Sequence, residues 1–228
     1  MDRLYKTLTL LPNGAKLPDD AEIVTYVARN FEPYRGFEQV MRAIEILMQK
    51  HPKAHFLMIG GDDVSYGAKL SGGKTYRQKM LHELHLDNER IYWYGKVPYS
   101  QMINILKHSM AHIYMSVPFV LSWSFIEAMA LGCPIVASDV SMLREVITDK
   151  HNALMVQFFE PEDIAEKTSI LLNKPELRKK YSINARKTAL EKYSLDKLLP
   201  VYEKLIGDIA NGACVPTDAE DLKINFLS

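Results

Sequence analysis

Runs of apolar residues alternate along the chain with stretches in which apolar residues recur at the spacing of a helix. The runs are rich in β-branched and aromatic residues, which predicts buried strands at 23–27, 56–59, 91–94, 113–115 and 134–137, with a sixth candidate at 154–156. Helical spacing predicts helices over 37–48, 77–85, 98–106, 124–131, from 161 onward, 176–193 and 195–209. The alternation predicts βαβ units, and therefore an α/β fold with a mostly parallel sheet.

The regular pattern begins at residue 23 and ends near residue 210, which predicts one domain over 23–210. Residues 1–22 are expected to form an N-terminal segment or linker, with a candidate short strand at 8–11 followed by turn signals. Residues 211–228 carry Gly212 and Pro216 and are expected to form a tail.

The formal charges balance, because 28 Lys and Arg residues stand against 28 Asp and Glu residues. A chain without a basic excess has no global field to hold nucleic acid, so we expect no nucleic-acid partner. Two cysteines, Cys133 and Cys214, are too few for a disulfide framework, and the first residues lack the apolar core of a signal peptide. These features favour a cytoplasmic protein.

The loop after the first strand carries two arginines, Arg29 and Arg35, directly before a helix. Ligands of parallel sheets bind at the carboxyl ends of the strands, and arginine forks match phosphate oxygens in charge and geometry. Two such arginines could hold a diphosphate without a metal, although the segment has no phosphate-loop signature. The alternative is that both arginines are solvated and pair with Glu32 or Glu38.

The loop after the second strand reads Gly60-Gly61-Asp62-Asp63. Glycines such as Gly61 let the backbone approach a ligand closely, and the alternative is an ordinary tight turn. Two adjacent carboxylates without further spaced ligands are weak evidence for a divalent cation, so we predict no metal site.

The helix over 124–131 is apolar nearly all round, which predicts burial, and it carries one charge, Glu127. A buried carboxylate needs a partner. That partner is either a set of nearby backbone N–H groups or the hydroxyls of a ligand, such as a ribose diol. Because the helix starts at the carboxyl end of a strand, we favour the ligand.

Other chemistry-bearing residues are interpreted structurally. His108 and His112 flank the fourth strand and are expected to be packed or exposed rather than catalytic. Cys133 precedes an apolar strand and is expected to act as a small buried hydrophobe. A basic helical face is expected to be solvated, with weak contact to acidic lipid headgroups as the alternative; it comprises Lys179, Lys180, Arg186 and Lys187.

Residues 127–139 read Glu-Ala-Met-Ala-Leu-Gly-Cys-Pro-Ile-Val-Ala-Ser-Asp, and the loop from Arg29 ends in Arg35-Gly36. Together these segments resemble the C-terminal, nucleotide-sugar-binding domain of glycosyltransferase family 4, whose enzymes have the two-domain GT-B architecture. The resemblance extends from about residue 23 to residue 209. It implies a Rossmann-like domain that is one half of a retaining, metal-independent glycosyltransferase.

The resemblance also implies roles for the candidate residues. Arg29 and Arg35 would act in catalysis by holding the diphosphate of a UDP- or GDP-sugar, and no other cofactor is implied. The backbone of Val97 would meet the base, and Glu127 would bind the ribose hydroxyls. The remaining donor-binding positions are the backbone near Gly61 and the start of the Glu127 helix, namely Ser122, Trp123 and Ser124.

Two positions depart from the family pattern. Phe119 stands where the family has the first glutamate of its Glu-x(7)-Glu motif, and Ser122 stands where a glycine is usual. The segment around Phe119 resembles a variant subgroup of these transferases, as does the stretch 63–67. The identity of the donor sugar is therefore less well defined than nucleotide binding.

Enzymes of the GT-B class close two domains around the reaction, and the acceptor belongs to the N-terminal one. The resemblance therefore implies a hexosyltransferase-type enzyme whose N-terminal half is missing, so that this chain alone binds nucleotide weakly and transfers no sugar. Peripheral membrane contact of the full-length protein stays open. Two alternatives are a non-catalytic nucleotide-binding or interaction module, which Phe119 favours, and a related hydrolase or epimerase.

Overall fold

A computed structural model describes residues 11–212 of the chain. Six strands are present in this part: β1 (Glu22–Asn30), β2 (Ala54–Gly61), β3 (Ile91–Gly95), β4 (Ala111–Tyr114), β5 (Ile135–Ser138) and β6 (Leu154–Val156). The helices are α1 (Phe37–Lys50), α2 (Tyr76–Glu83), α3 (Tyr99–Lys107), α4 (Trp123–Leu131), α5 (Ser141–Arg144), α6 (Pro161–Asn173), α7 (Pro175–Tyr193) and α8 (Leu195–Ala210). Short 3-10 turns occupy Pro33–Arg35, Ser71–Gly73 and Asn88–Arg90.

The strands form one parallel sheet in the order β3-β2-β1-β4-β5-β6. The predicted α/β fold and the six strands predicted between residues 23 and 156 are therefore confirmed. The order reverses between β1 and β4, so the loops that follow these two strands leave a crevice between them. In open parallel sheets, this crevice at the carboxyl ends is where ligands bind.

Helices cover both faces of the sheet, and successive strand residues point to opposite faces. Val24 and Tyr26 of β1 enter the apolar cluster that contains α1 and α6, whereas Ile23 and Val27 enter the cluster that contains α3 and α4. Burial on both faces explains why these strands read as continuous apolar runs rather than alternating ones.

Gly36 is the point at which the chain turns from the 3-10 turn Pro33–Arg35 into α1. Its φ of 64° lies in the left-handed region, and a Cβ there would stand 2.5 Å from the Cβ of Met115. A side chain is thus excluded by backbone conformation and by space. The close contact holds the start of α1 against the end of β4, which brings the loop with Arg35 beside the loop after β4.

Two segments differ from the sequence-based prediction. β1 continues to Asn30, which pairs with Gly61 after a register shift, so Arg29 lies in a strand rather than in a loop. The polar end of β1 carries no apolar run, so the pattern could not reveal it. The short helix α5 was not predicted, because four residues give no helical period. The candidate strand at 8–11 lies mostly outside the described residues.

Helix α8 packs weakly on the rest of the domain. It has no buried residue, although its sequence is strongly amphipathic. Its exposed apolar side chains fall along one stripe: Leu195, Leu199, Tyr202, Ile206 and Ile209. Nothing in residues 11–212 covers this stripe. Along the same part of the chain, no helix has the length and apolar character needed to cross a membrane.

His112 and Cys133 have the structural roles that were predicted for them. His112 is fully buried on β4, its Nδ1 lies 2.9 Å from the Thr25 Oγ1, and burial lowers its pKa to about 4. Cys133 is buried, its Sγ donates to the Leu106 carbonyl at 3.2 Å, and burial raises its pKa to about 12. At neutral pH the imidazole of His112 is therefore uncharged and the thiol of Cys133 is protonated.

The buried neutral His112 predicts a stability loss in mild acid. Its pKa is about 4 in the folded chain and about 6.5 when unfolded. Between these values the unfolded chain binds a proton that the folded chain does not, so His112 lowers the free energy of unfolding as pH falls. The loss reaches about 3 kcal/mol near pH 4.

Urea unfolding of the wild type, His112→Gln and His82→Gln at pH 7 and pH 4.5 checks this effect. His82 is exposed on α2 and serves as the matched control. We expect the pH dependence to become shallower in His112→Gln only. Equal dependence in all three proteins would contradict a buried neutral His112.

Candidate functional site

A small pocket, with room for about one water molecule, lies where the loops after β1, β2 and β4 meet, at the point where the strand order reverses. Its lining comprises Tyr34, Arg35, Tyr66, Ser116, Val117 and Phe119. Of the arginines singled out from the sequence, Arg35 forms part of this wall. Arg29 is exposed at the end of β1 and is not part of it.

Arg35 is held from two sides. Its Nη1 donates to the Ser116 Oγ at 3.0 Å, and its backbone carbonyl accepts a hydrogen bond from the Tyr26 hydroxyl at 2.7 Å. Ser116 is itself buried, and its backbone is held by Ser138. Its N–H donates to the Ser138 Oγ at 3.0 Å, and its carbonyl accepts from that hydroxyl at 2.9 Å. The guanidinium is thus tied to the ends of β4 and β5.

No carboxylate neutralises Arg29 or Arg35 within residues 11–212. The expected pairing with Glu32 or Glu38 is therefore not formed among these residues, although Arg29 is exposed, as the alternative held. Glu32 is turned into the interior, and Glu38 forms an ion pair with Lys79 at 2.5 Å. The positive charge of Arg35 consequently stays available at the pocket.

Glu32 anchors the loop that follows β2. Its side chain is fully buried, and its Oε2 accepts backbone N–H groups from Ser65 at 3.0 Å, Tyr66 at 2.9 Å and Gly67 at 3.2 Å. Asn30 adds a hydrogen bond from its Nδ2 to the Ser65 Oγ at 2.7 Å. These bonds fix Tyr66 in the pocket wall, and the sequence contained no periodic signal for them.

Gly61 closes β2 where two loops approach each other. A Cβ at this position would stand 2.5 Å from the Asn30 Oδ1 and 2.9 Å from the Lys96 Cε. The Gly61 carbonyl accepts the N–H of Phe31 at 2.8 Å. The glycine is thus required by packing of this chain on itself, and it also places the cationic side chain of Lys96 near the ends of β1 and β2.

The acidic pair that follows Gly61 is engaged by cations. Asp62 forms an ion pair with Arg77 at 2.5 Å, and Asp63 forms one with Lys69 at 3.2 Å. Lys69 and a backbone hydrogen bond to Val64 hold the pKa of Asp63 below its ordinary value, with the backbone bond as the larger cause. In residues 11–212 no cluster of three potential metal-ligating side chains occurs.

The start of α4 lies at the same edge of the sheet, at the carboxyl ends of the strands. Ser122 is the N-cap residue, its Oγ lies 2.8 Å from the Ser124 Oγ, and Trp123 is 86% exposed. The first amides of a helix have no intrahelical carbonyl to bond, so they form a donor set for an anion.

Tyr114 connects this helix start with Arg35. Burial raises the pKa of Tyr114, whereas the nearby Arg35 and Ser122 oppose that rise. Its hydroxyl is buried and makes no hydrogen bond of good geometry within the described residues. The structure therefore brings Arg35 and Ser122 around one buried polar atom, a convergence that residue spacing could not reveal.

Glu127 is half-buried, which corrects the prediction of a buried carboxylate. The reason is that α4 buries one face, formed by Phe125, Ala128 and Met129. Partial burial and then the nearby Glu127 carboxylate raise the pKa of Tyr99. Val97 lies just before Tyr99, packed on an apolar cluster after the turn at Gly95, whose φ is 64°. Val97 therefore lies two residues from the tyrosine that is near Glu127.

A family model described as "Glycosyl transferases group 1" matches residues 11–188. This chain belongs to the group 1 glycosyltransferases. A relative among curated proteins is an uncharacterised glycosyltransferase of Methanocaldococcus jannaschii, 28% identical over 189 residues, which cover 82% of this chain and 45% of the relative. The chain spans about half the length of the curated relatives that it matches.

Solved structures support the fold of this glycosyltransferase domain. The Anabaena protein HepE in complex with UDP-glucose superimposes with a TM-score of 0.69 at 17% identity, covering 82% of this chain and 49% of HepE. The C-terminal domain of the group 1 family protein LpcC from Francisella tularensis gives a TM-score of 0.64 at 18% identity. That match covers 77% of this chain and 88% of the LpcC domain.

The anchoring role of Glu32 in this glycosyltransferase domain predicts that even a conservative substitution lowers the free energy of unfolding substantially. Glu32→Gln keeps the size of the side chain but removes the charge that accepts three N–H groups. We expect the free energy of unfolding to fall by about 1–3 kcal/mol, as for weakened buried hydrogen bonds. Hydrogen exchange at residues 65–67 should accelerate at the same time.

Glu83→Gln is the matched control, because Glu83 forms an exposed ion pair with Arg42. Such a pair contributes at most about 1 kcal/mol. Both variants are compared by urea unfolding and amide exchange. Equal losses of stability in the two variants, with residues 65–67 still protected in Glu32→Gln, would contradict the anchoring role of Glu32.

Proposed function

We propose that this domain binds the nucleotide-diphosphate sugar of a retaining, metal-independent glycosyltransferase of family 4. The observation that carries the proposal is the Arg35 guanidinium, which lies at the crevice between β1 and β4 and pairs with no carboxylate among residues 11–212. Membership of the group 1 family and the likeness to HepE, solved with UDP-glucose, support it. The donor would be a UDP- or GDP-sugar, and the group transferred a hexose.

The proposed chemistry is stabilisation of a leaving group. In sugar transfer the bond between the anomeric carbon and the diphosphate breaks, and a bond to the acceptor oxygen forms while that oxygen loses its proton. Negative charge develops on the departing diphosphate. Arg35 and the first amides of α4 are donors held in place before the reaction, which is the arrangement that lowers such a barrier. Arg29 would supply further positive charge at the end of β1.

Glu127, Tyr99 and Val97 would hold the nucleoside. Glu127 is half-buried and able to accept hydrogen bonds from the two hydroxyls of a ribose. Tyr99 lies near this carboxylate, and its hydroxyl would orient it. The backbone of Val97 would meet the base, while Gly61, Ser122, Trp123 and Ser124 would border the diphosphate and sugar.

The domain would be the C-terminal half of a longer enzyme. Its span of about half of its curated relatives and its likeness to the LpcC C-terminal domain support this assignment. The uncovered apolar stripe of α8 is also consistent with a surface that another part of the parent protein covers. The acceptor would bind to that other half, so the chain alone would bind nucleotide but transfer no sugar. We place the parent enzyme in the cytoplasm, with peripheral membrane contact open.

The second candidate is a non-catalytic nucleotide-binding or interaction module. Phe119 favours it, because an aromatic ring cannot accept hydrogen bonds from sugar hydroxyls as a carboxylate does. A transferase domain and a nucleotide-binding module both require nucleotide binding, so activity of the parent enzyme separates them, whereas a pure interaction module would bind no nucleotide. Sugar transfer by this domain joined to its N-terminal half would exclude the module, and nucleotide binding without transfer would support it.

Calorimetric titration of the 228-residue chain with UDP tests the site directly. Arg35→Ala is expected to weaken UDP binding about tenfold or more, because it removes charge-assisted hydrogen bonds worth about 1.5–3 kcal/mol. Arg29→Ala should have a smaller effect, since Arg29 lies outside the pocket wall.

Arg42→Ala is the matched control, because Arg42 lies in an exposed ion pair on α1 and α2. It should bind UDP like the wild type. If neither UDP nor GDP binds the wild type, the proposed function fails for this chain. If Arg35→Ala binds UDP as tightly as Arg42→Ala does, Arg35 is not the diphosphate-binding residue.

A further inference from the structure

The outward face of α7 combines cations with exposed apolar side chains. Tyr181, Ala185 and Ala189 are buried against the domain, as expected for the inner face of a surface helix. Ile183 and Leu190 lie on the opposite face and are 57% and 45% exposed. A single exposed apolar residue is ordinary on a protein surface, but α7 carries these two in one line along the helix.

Four cations flank this apolar line. At about 100° per residue, each of them falls within about 60° of Ile183 around the helix axis, two on either side. All four are exposed: Lys179 and Arg186 on one side, and Lys180 and Lys187 on the other. The outward face of α7 therefore has an apolar centre and a cationic border.

Carboxylates compensate only part of this charge. Helix α7 has six Lys and Arg residues against two Glu residues, a net charge of +4 in a chain whose formal charges balance. Glu191 lies 3.8 Å from Lys187, and exposed pairs of this kind are weak. Glu176 lies in the first turn, near the positive end of the helix dipole. Like charges gathered on one helix face repel each other, and an anionic partner removes that repulsion.

Helix α7 is held in place, so its outward face is a fixed surface. The Asn184 Nδ2 donates to the His151 carbonyl at 2.8 Å, and the Arg186 Nη1 donates to the Ala130 carbonyl. A neutral carbonyl leaves the charge of the guanidinium intact. Ala130 lies in the last turn of α4, whereas the candidate ligand site lies at the first turn of that helix. The contact with α7 is thus at the end of α4 that lies away from the crevice.

The arrangement suits an anionic lipid surface better than a protein or a nucleic acid. Specific protein interfaces bury about 800 Å² per partner around aromatic or arginine anchors, and two aliphatic side chains do not form such a centre. A nucleic acid is held by cations and polar groups and gains little from aliphatic side chains in the middle of the contact. At a bilayer, aliphatic side chains enter the boundary of the acyl chains while Lys and Arg side chains reach the headgroup phosphates.

We propose that the outward face of α7 binds the surface of an anionic lipid bilayer. Ile183 and Leu190 enter the boundary between headgroups and acyl chains, and the four cations of the border contact the headgroups. The inference goes beyond the proposed function, because it requires no nucleotide. It assigns a membrane contact of the parent enzyme to this domain.

Flotation of the 228-residue chain with lipid vesicles tests the proposal. We expect binding to vesicles of phosphatidylcholine mixed with phosphatidylglycerol, and no binding to vesicles of phosphatidylcholine alone. Raising the ionic strength from about 0.1 M to about 1 M shortens the Debye length from about 10 Å to about 3 Å, so most of the bound protein should be released. A wild type that does not bind the mixed vesicles overturns the proposal.

Lys179→Gln combined with Lys180→Gln tests the cationic border. Glutamine keeps the helix propensity close to that of lysine, and loss of two cations should weaken binding to the mixed vesicles about tenfold or more. Lys50→Gln combined with Lys107→Gln is the matched control, because it removes the same charge from exposed positions on α1 and α3. Equal weakening by both double variants would show an effect of net charge alone and would overturn the role of α7.

Ile183→Gln combined with Leu190→Gln tests the apolar centre. Binding to the mixed vesicles should weaken about tenfold or more, because both side chains lose their transfer into the acyl boundary. Ile206→Gln combined with Ile209→Gln on α8 is the matched control, since these residues are 64% and 45% exposed. Unchanged binding by the α7 variant, or a loss confined to the α8 variant, contradicts the proposed contact.

Other partners and the proposed function are separated by further measurements. Tighter binding to poly-glutamate or to duplex DNA than to the mixed vesicles would indicate a protein or nucleic-acid partner and would overturn the lipid assignment. The Lys179→Gln, Lys180→Gln variant should bind UDP like the wild type, so vesicle binding and nucleotide binding succeed or fail independently. A parallel loss of both would show a general disturbance of the fold and would also overturn the lipid assignment. Thermal unfolding of each variant verifies folding.

Discussion

The buried carboxylate of Glu32 is the interaction on which the geometry of the pocket depends. One of its oxygens accepts three consecutive backbone N–H groups from the loop after β2, while its own backbone begins the turn that carries Arg35. Two loops that lie far apart in the chain are thereby held as one unit. Burial of a charge without such donors would be very costly, so the loop and the carboxylate hold each other in place.

The same interaction keeps Glu32 away from Arg35, which pairs with no carboxylate in the part of the chain that the structure describes. The carboxylates near it in sequence, Glu32 and Glu38, are bonded to other groups, and the acidic residues after β2 are paired with Arg77 and Lys69. A chain with no net charge thus has an unbalanced positive site at one edge of its sheet. The aromatic rings of Tyr66 and Phe119 each lie with their centroid 5.7 Å from the Arg35 Cζ.

The hydrophobic pattern predicted the strands that are buried on both faces. It was incomplete for a polar strand end and for a helix that is buried on one face only. The strands were found because both faces of the sheet are covered, which makes each strand a continuous apolar run. The end of β1 was missed because Arg29 and Asn30 pair through their backbones, and backbone pairing leaves no trace in side-chain polarity. Glu127 is half-buried although its helix is apolar nearly all round, since α4 packs on one face only.

The sequence by itself determined the α/β fold, the edge of the sheet to search, and the family through the 127–139 segment. The tertiary structure alone decided which charges meet. Glu32 binds residues 65–67, and Arg35 meets Ser116, Tyr66 and Phe119, across separations that no local pattern encodes. The physical reason is that periodicity reports which side of an element is buried. The partner of a polar group depends on strand order and on how the loops at the strand ends pack together.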